Sequence, residues 1–295
     1  MRILITGGTG LIGRKLCRLL HEKGHQITVL SRRPESVPEK CGAAVKAFAS
    51  LDEWQPDTVF DVIINLAGEP IADKAWSEKR RKALLDSRVA LTEKLVDKIA
   101  RARVKPAVFL SGSAIGYYGN RYDEALDESS NAGQGFAADL CIAWEQAALQ
   151  AQGMRVCLLR TGLVLSRDGG ILAKMLLPLG MGVRFGSGMQ WMSWIHIDDY
   201  TQLILRLIAN EQTNGPVNMT APNPVNNRDF TRTLVDVQHG LAAFSAPSAL
   251  LNLMLGERAG LLLEGQRVLP NKVLATGYSF RYPDLSSALG NLLSA

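Results

Sequence analysis

A cluster of glycines near the N-terminus, in the stretch GGTGLIG, has the spacing needed to bind a phosphate group. Gly7, Gly10 and Gly13 follow the pattern G-x-x-G-x-x-G, and Gly8 opens an overlapping G-x-G-x-x-G. Such glycines permit a tight turn and a close approach of the main chain to a pyrophosphate, while the next helix offers it unpaired N–H groups. The pattern predicts a dinucleotide site, and a glycine-rich turn without a ligand is the alternative. No Lys-Ser or Lys-Thr pair follows the glycines, which excludes a P-loop.

The end of the second predicted strand indicates which dinucleotide the site prefers. An Asp or Glu about 20 residues after the glycines is typical of sites that hold a free ribose hydroxyl. Here the strand ends in Ser31, Arg32 and Arg33, and the first acid, Glu35, comes only after a proline. An arginine suits a 2′-phosphate because its planar group pairs with phosphate oxygens. We therefore predict NADP as the cofactor, the alternative being that both arginines are exposed turn residues.

Strand and helix patterns alternate through the first half of the chain, and these elements would position the glycine loop. Alternation of this kind predicts a parallel sheet flanked by helices. The predicted fold class is α/β, with a Rossmann-type doubly wound parallel sheet. Strands are predicted at Ile3–Thr6 and in HQITVLSR, DVIINLAG, AVFLSGSA and RVCLLRTGLVL, and helices at Leu11–Glu22, at Trp76–Arg101 and in FAADLCIAWEQAALQAQG.

The chain is expected to contain two regions. Residues 1–165 are predicted to form the NADP-binding Rossmann domain, completed by about 190–220. The pattern then loosens, because residues 166–189 are rich in glycine and residues 221–295 mix short helices with prolines. We expect residues 221–295, with a contribution from 166–189, to form a small C-terminal substrate lobe. The crevice between lobe and sheet is where open α/β sheets bind ligands.

Composition and charge exclude several other classes of protein. Apolar residues make up 47% of the 295 residues and charged ones 21%, which is ordinary for a globular enzyme. No apolar run approaches the roughly 20 residues that span a bilayer, and the start lacks the features of a signal peptide. The basic segment Lys74–Arg88 is interpreted as a solvated helix face rather than a nucleic-acid site, since no nucleic-acid motif accompanies it. The four cysteines form no C-x-x-C pair, so we expect a cytoplasmic protein with reduced thiols and no metal, nucleic-acid or membrane partner.

The glycine stretch and four others together indicate a family. TGGTGLIG, NLAG, SGSAIGYYG, RTGLVL and WIHIDDY resemble segments of the short-chain dehydrogenase/reductase superfamily, in its extended, sugar-nucleotide-epimerase-like branch. With NLAGEPIADKAW and LLLEGQRVLPNKVLATGYSFRYPDL, the sequence resembles an atypical subgroup called epimerase family or family 39U. The C-terminal region of that subgroup is a domain of unknown function. The resemblance covers essentially residues 1–295.

The resemblance implies a role for twelve residues in cofactor binding. The glycine loop would wrap the pyrophosphate, and two residues after the second strand would hold the 2′-phosphate. Two residues after the fourth strand would flank the adenine and its ribose, and an arginine on the long helix would be another contact. A leucine beyond the last core strand would lie near the nicotinamide. In that order, these residues are Gly7, Thr9, Gly10, Leu11, Ile12 and Gly13, then Ser31 and Arg32, then Leu66 and Ala67, then Arg88, and finally Leu163.

The resemblance also shows where the sequence departs from the usual reductase mechanism. Members use a serine to position the substrate oxygen, a tyrosine to move a proton, and a lysine four residues later to lower the tyrosine pKa. Ser113 matches the serine, but Phe136 falls at the tyrosine position and Leu140 at the lysine position. A substitute acid would have to come from elsewhere. The candidates are Tyr117 and Tyr118, on the same loop as Ser113, and His196 and Asp198 in WIHIDDY, for which a structural histidine and a helix-capping aspartate are the alternatives.

Two hypotheses for function follow from the sequence. The first is an NADP(H)-binding, epimerase-like oxidoreductase with an unknown small-molecule substrate, for which a nucleotide sugar is one candidate. The second is a catalytically weak NADP(H)-binding regulatory or sensor protein. Ser113 favours the first hypothesis, whereas Phe136 and Leu140 favour the second. A superfamily habit of pairing through helices also suggests a homodimer.

Overall fold

The computed structural model describes residues 1–294. Its strands, in chain order, are β1 (Arg2–Thr6), β2 (Gln26–Leu30), β3 (Lys46–Phe48), β4 (Val62–Asn65), β5 (Val108–Ala114), β6 (Ala125–Leu126), β7 (Arg155–Thr161), β8 (Leu163–Ser166), β9 (Gly182–Phe185), β10 (Trp191–Met192), β11 (Trp194–His196), β12 (Gly215–Met219), β13 (Val225–Asn226), β14 (Ala243–Ala246) and β15 (Arg267–Val268). The helices are α1 (Leu11–Glu22), α2 (Val37–Cys41), α3 (Glu78–Leu85), α4 (Leu91–Arg101), α5 (Phe136–Leu149), α6 (Gly170–Met175), α7 (Ile197–Ala209), α8 (Asn227–Val237), α9 (Ser248–Leu255), α10 (Gly260–Leu263), α11 (Asn271–Ala275) and α12 (Leu285–Leu293).

A parallel sheet of seven strands forms the centre of the molecule, in the order β3-β2-β1-β4-β5-β7-β12. Its inner strands are apolar over almost their whole length, as in β4, whose four residues are all buried. Such strands are typical of a sheet that is covered on both faces. The strand order reverses between β1 and β4, and this switch point is where open α/β sheets bind ligands. The α/β, Rossmann-type fold predicted from the sequence is confirmed.

One predicted strand, RVCLLRTGLVL, proves to be two strands that join different sheets. The first, β7, lies in the central sheet, whereas β8 pairs in parallel with β11 outside it. The chain divides at Gly162, where a Cβ atom would lie 2.4 Å from the carbonyl oxygen of Ser193. Only glycine permits this close approach of two main chains. The division carries Leu163 away from the sheet and over its carboxyl edge.

The seventh strand, β12, has a sequence that does not predict a strand. It is GPVNM, and it pairs only with β7 at the edge of the sheet. Pro216 is tolerated there because an edge strand leaves one row of N–H groups without a ladder partner. The long helical region predicted at Trp76–Arg101 is likewise interrupted: α3 and α4 are joined by one wide turn at Asp86–Ala90.

A second apolar core lies beyond the carboxyl edge of the sheet. It joins α6, α8, α12 and the strand β11, with Trp194 and Phe230 fully buried at its centre. None of the helices within residues 1–294 combines the length and apolarity that crossing a bilayer requires. Within this range, no three His, Cys, Asp or Glu side chains converge as metal ligands would.

Candidate active site: a cleft at the carboxyl edge of the sheet

A continuous cleft runs along the carboxyl ends of the central strands and consists of three adjoining cavities. We call them the basic cavity, lined by Arg32 and neighbouring cations; the glycine-loop cavity, lined by Gly7–Gly13; and the apolar cavity, beyond Leu163. Their volumes are about 830, 310 and 80 Å³. Gly7, Gly10 and Leu66 line both of the first two, and Leu163 and Ile171 line both of the last two.

The glycine loop between β1 and α1 forms a cradle that side chains would fill. Gly7 has a φ of +70°, and a Cβ atom on it would lie 2.7 Å from the main chain of Leu66. A Cβ atom on Gly13 would lie 2.3 Å from the carbonyl oxygen of Gly7. Helix α1 begins after Gly10 with no side-chain cap, so the N–H groups of its first turn are free to bind phosphate. The loop therefore fits the pyrophosphate of a dinucleotide.

Hydrogen bonds within the strand ends fix the opposite wall of the cleft. The Thr6 hydroxyl donates to Asn65 Oδ1 at 2.6 Å and accepts from the N–H of Ala67 at 3.2 Å. Asn65 Nδ2 in turn donates to the hydroxyl of Thr92 on α4 at 2.8 Å. Asn65 is fully buried. These bonds hold Leu66 and Ala67 in place against the glycine loop.

The basic cavity contains Arg32, which the sequence predicts to bind a 2′-phosphate. Its side chain is 91% exposed and donates to Glu69 Oε1 at 2.9 Å. Arg80 donates to the other oxygen of Glu69 at 3.2 Å. These two arginines hold the pKa of the Glu69 carboxyl below its usual range. Arg32 is thus aimed along the cavity by Glu69, and Ser31 lines the cavity beside it.

Sequence reasoning missed other cations that line this cavity. Lys94, Lys98 and Arg101 lie one helical turn apart on α4, at i, i+4 and i+7, and their side chains line the same cavity as Arg32. Their spacing on one helix face is a signal that the sequence carries. What the sequence does not show is that this face of α4 meets the loop after β2. Arg33 and Lys40 also line the cavity.

Eleven of the twelve predicted cofactor residues line the cleft, and Arg88 does not. Arg88 lies behind the loop after β4, where its Nη2 donates to the carbonyl oxygen of Glu69 at 2.9 Å. A Cβ atom on Gly68 would lie 3.0 Å from the Arg88 guanidinium. Burial lowers the pKa of Arg88. In this arrangement, Arg88 supports the cofactor loop from behind instead of contacting the cleft.

Ser113, the predicted substrate-positioning residue, belongs to a buried polar network. Its hydroxyl donates to Glu145 Oε1 on α5 at 2.6 Å, and only 4% of Ser113 is exposed. Arg160 on β7 donates to both oxygens of Glu145 at 2.9 Å. Burial opposes the charge of Arg160, but the Glu145 carboxylate outweighs it and the net pKa is raised. No pattern in the sequence indicates this role for Glu145.

The two candidate tyrosines are placed differently. Tyr118 is fully buried, and its hydroxyl donates to Asn218 at 2.7 Å and accepts from Arg160 at 3.0 Å. Burial raises its pKa to about 12. Its placement does not support the predicted catalytic role, because both partners lie in the core. Tyr117 is partly exposed, and the Arg160 guanidinium carbon lies 3.5 Å from the centroid of its ring. The catalytic role of Tyr117 stays a prediction.

The positions usually held by tyrosine and lysine are packed as structural residues. Phe136 contacts the Trp76 ring, with 5.0 Å between the two ring centroids. The Arg81 guanidinium lies over the Phe136 ring, 4.4 Å from the centroid of that ring. Leu140 is 2% exposed within α5. A phenyl ring has no proton to transfer. The helix therefore supplies no proton relay at these two positions.

The WIHIDDY segment anchors the C-terminal region, and none of its residues lines the apolar cavity. His196 Nδ1 accepts from the N–H of Asp198 and caps α7. Asp199 accepts from the Tyr278 hydroxyl at 2.9 Å and from two main-chain N–H groups, those of Arg281 and Tyr282. Asp199 is therefore occupied by structural contacts, and Asp198 forms a salt bridge with Lys15. The segment thus joins α7 to the chain that precedes α12.

Comparison with known proteins agrees with this geometry. The family model described as NAD dependent epimerase/dehydratase family matches residues 3–220, and a domain of unknown function, DUF1731, matches residues 246–292. The chloroplastic epimerase family protein SDR39U1 homolog of Arabidopsis thaliana is 38% identical, over 98% of this chain and 86% of its own. Epimerase family protein YfhF of Bacillus subtilis is 34% identical, over 100% of this chain and 98% of its own.

Solved structures of epimerase-family proteins are also similar to this chain. The crystal structure of human epimerase family protein SDR39U1 with NADPH has a TM-score of 0.90 and 35% identity, covering 99% of both chains. UDP-glucose 4-epimerase from Thermus thermophilus, in complex with NAD, shares the fold alone, with a TM-score of 0.80 and 16% identity over 99% of this chain and 97% of its own. The chain belongs to the NAD-dependent epimerase/dehydratase family and carries the DUF1731 domain at its C-terminal end.

Proposed function

We propose that this protein is an NADP(H)-binding oxidoreductase of the epimerase-like type. The observation that carries the proposal is the continuity of an uncapped helix N-terminus at Gly10 with a cavity rich in cations around Arg32. The first suits a pyrophosphate and the second a 2′-phosphate. The presence of NADPH in the crystal structure of the human relative supports the same assignment.

Different residues of the cleft would bind different parts of the cofactor. The first turn of α1 would hold the pyrophosphate, Arg32 the 2′-phosphate, and Leu66 and Ala67 the wall beside the adenosine. Leu163, which joins the glycine-loop and apolar cavities, would separate cofactor from substrate. When bound, the cofactor supplies or accepts a hydride. Because Tyr118 is committed to the core, Tyr117 is the tyrosine left as a candidate proton donor.

A second function, a cofactor-dependent sensor, is favoured by one specific observation. The hydroxyl groups of Ser113 and Tyr118 are both consumed by the network around Arg160, and Phe136 and Leu140 provide no replacement. A cleft that binds NADPH without a placed proton donor would report cofactor supply through its conformation. A nucleotide-sugar substrate, the earlier candidate of the first hypothesis, rests on the family resemblance alone.

Transfer of deuterium from labelled cofactor separates the two functions. The protein is mixed with NADPH deuterated at either face of the nicotinamide and with a panel of sugar-nucleotide and simple carbonyl compounds. The oxidoreductase hypothesis expects deuterium from one face in one product, detected by mass spectrometry, and weaker transfer in Tyr117→Phe. Saturable NADPH binding with no transfer to any compound favours the sensor. Absence of NADPH binding contradicts both.

A further inference from the structure

The apolar cavity adjoins the glycine-loop cavity and is the place where a substrate would meet the cofactor. The two cavities share Leu163 and Ile171. Beyond these residues, the wall is built from both regions of the molecule, by Ile115 after β5 and by Leu262 on α10. If the cofactor lies across the glycine loop as proposed, its far end faces this cavity. The inference below rests on that proposed function.

The side chains around this cavity are mostly hydrocarbon. Besides Leu163 and Ile171, the aliphatic and aromatic members of the wall are Ile115, Met175, Phe185, Trp191, Met192, Leu261 and Leu262. A wall of this composition stabilises an apolar ligand by removing hydrocarbon surface from water. Its hydrocarbon side chains give no compensation for the hydroxyl groups of a sugar, whose burial without partners is costly.

Three polar side chains of the wall, Gln190, Ser193 and Asn227, form hydrogen bonds within the protein, whereas the side chains of Gln266 and Glu264 are partly or fully exposed and form none within residues 1–294. Gln190 Nε2 donates to the carbonyl oxygens of Phe185 at 3.1 Å and Leu262 at 2.6 Å. The Ser193 hydroxyl donates to the carbonyl oxygen of Gln266 and accepts from the N–H of Val268. A ligand that drew on these groups would break internal hydrogen bonds. These hydrogen bonds connect α10 and β15 to the cavity wall.

The Asn227 side chain is engaged in the same way. Its Oδ1 accepts from the N–H of Phe185 at 2.8 Å, and its Nδ2 contacts Met192 Sδ at 3.4 Å. Asn227 is 1% exposed. Its amide therefore holds β9 and β10 together and offers no free group to a sugar.

Charge in the cleft is distributed so that a diphosphate has no partner in the apolar cavity. No lysine or arginine is among the described residues that line this cavity, and its charged member, Glu264, is an exposed carboxylate. The basic cavity, in contrast, is lined by Arg32, Lys94 and Lys98. Phosphate groups are therefore favoured at the adenosine end of the cleft and disfavoured at the substrate end.

We infer that the apolar cavity binds the hydrocarbon part of an uncharged carbonyl compound or alcohol, and that a nucleotide sugar is not the substrate. The cavity volume of about 80 Å³ suits a short aliphatic or branched group rather than a sugar ring with a diphosphate. The inference names the substrate class of the proposed oxidoreductase. It makes no use of the WIHIDDY segment or of the Arg160 network.

Binding of aliphatic methyl ketones tests this inference. The NADPH complex is titrated with methyl propyl ketone, methyl pentyl ketone and UDP-glucose by isothermal calorimetry. The expected result is saturable binding of a ketone and none of UDP-glucose. In Leu262→Asn, which places an amide in the wall, we expect ketone affinity to fall at least about tenfold with NADPH affinity unchanged.

Leu253→Asn is the matched control, because Leu253 is 84% exposed on α9 and does not line the cavity. It should leave the affinities for ketone and NADPH as they are. Equal loss of ketone binding in both variants, or binding of UDP-glucose in place of the ketones, would overturn the inference. NADPH binding without ketone binding would also overturn it and leave the proposed function standing. Absence of NADPH binding would instead overturn the proposed function.

Discussion

At the scale of single residues, Arg160 shows how much this protein depends on one buried ion pair. Its guanidinium donates to both oxygens of Glu145, and the two side chains are only 4% and 6% exposed. Taking two charges out of water is costly, and their attraction offsets the cost only when the geometry is good. Removing one member leaves the other charge buried without a partner.

We therefore expect Glu145→Gln to lower the free energy of unfolding by about 3–5 kcal/mol. Urea denaturation followed by circular dichroism measures the change. Glu124→Gln is the control, since its pair with Arg121 is partly exposed, and it should cost less than about 1 kcal/mol. Similar losses in the two variants would show that the buried network contributes no more than a surface pair.

The sequence identified some of the site residues and not others, for physical reasons. The glycines and Arg32 are recognisable because a phosphate contact requires local chain geometry or a local charge. Glu145 is not recognisable, because its role arises only when α5 packs against β5 and β7. Tyr118 could be named as a candidate acid, yet its burial against Asn218 depends on a residue 100 positions away.

At the scale of elements, helix α1 was predicted with its bounds, Leu11–Glu22, and the structure has the same bounds. The prediction succeeds because the glycine loop, the amphipathic repeat and the terminal glycine are all local signals. The packing of the helix on the loop adds a constraint that periodicity does not reveal. Gly13 meets Gly7 and Gly8 at distances that leave no room for a Cβ atom.

Gly13→Ala should therefore push α1 away from the loop. We expect a loss of about 1–3 kcal/mol in stability from overpacking and a loss of NADPH binding, because the first turn of the helix moves. Gly290→Ala provides the control: Gly290 lies inside α12 with nothing within 4 Å of the added Cβ, so the change should stabilise slightly. Thermal melting with and without NADPH measures both effects. Unchanged NADPH binding in Gly13→Ala would contradict the assigned role of the loop.

Helix α7 carries a pH-sensitive cap. Burial lowers the pKa of His196, although Asp198 and Asp199 act in the opposite direction. Its Nδ1 accepts the hydrogen bond that caps the helix, so the neutral ring is the form that fits. The unfolded chain takes up the proton near pH 6.5 and the folded chain only at lower pH. The stability that the neutral His196 cap contributes is therefore present above about pH 6.5 and is lost as the pH falls below it.

We expect the free energy of unfolding to decrease between about pH 7 and pH 5, and His196→Asn to show a smaller decrease over this range. Asparagine can still cap the helix, but it does not titrate there. His239→Asn is the control, since His239 is exposed with a φ of +51° that asparagine tolerates. Urea denaturation across this pH range gives the slopes. A slope in His196→Asn equal to that of the unaltered protein would contradict the assignment.

At the scale of the whole molecule, the parallel sheet was predictable and its outer parts were not. Apolar strands alternating with helices determine a doubly wound sheet, because few other arrangements bury both faces of such strands. The departure of β8 from the sheet was missed because Gly162 permits a main-chain contact that only the folded chain contains. The edge strand β12 was missed because it begins with a glycine and a proline, residues that are uncommon inside strands.

The cleft also depends on contacts between regions far apart in sequence. Arg81 pairs with Glu257, and Arg258 donates to the carbonyl oxygen of Ala72 at 3.0 Å. Lys174 pairs with Asp73 at 3.0 Å. The contacts of Glu257 and Arg258 bring the segment before α10 over the loop after β4, and the Lys174 pair holds α6 to the same loop. They place Leu261 and Leu262 in the wall of the apolar cavity, a position that no local pattern predicts.

The most direct test of the central claim is a fluorescence titration with NADPH and NADH, repeated on Arg32→Ala. Arg103→Ala is the control, because Arg103 forms an exposed pair with Asp57 outside the cleft. We predict that NADPH binds more tightly than NADH, and that Arg32→Ala weakens NADPH by about tenfold or more while NADH and the control are unchanged. Equal affinity for the two cofactors, an Arg32→Ala variant that still prefers NADPH to the same degree, or binding of neither cofactor would contradict the account.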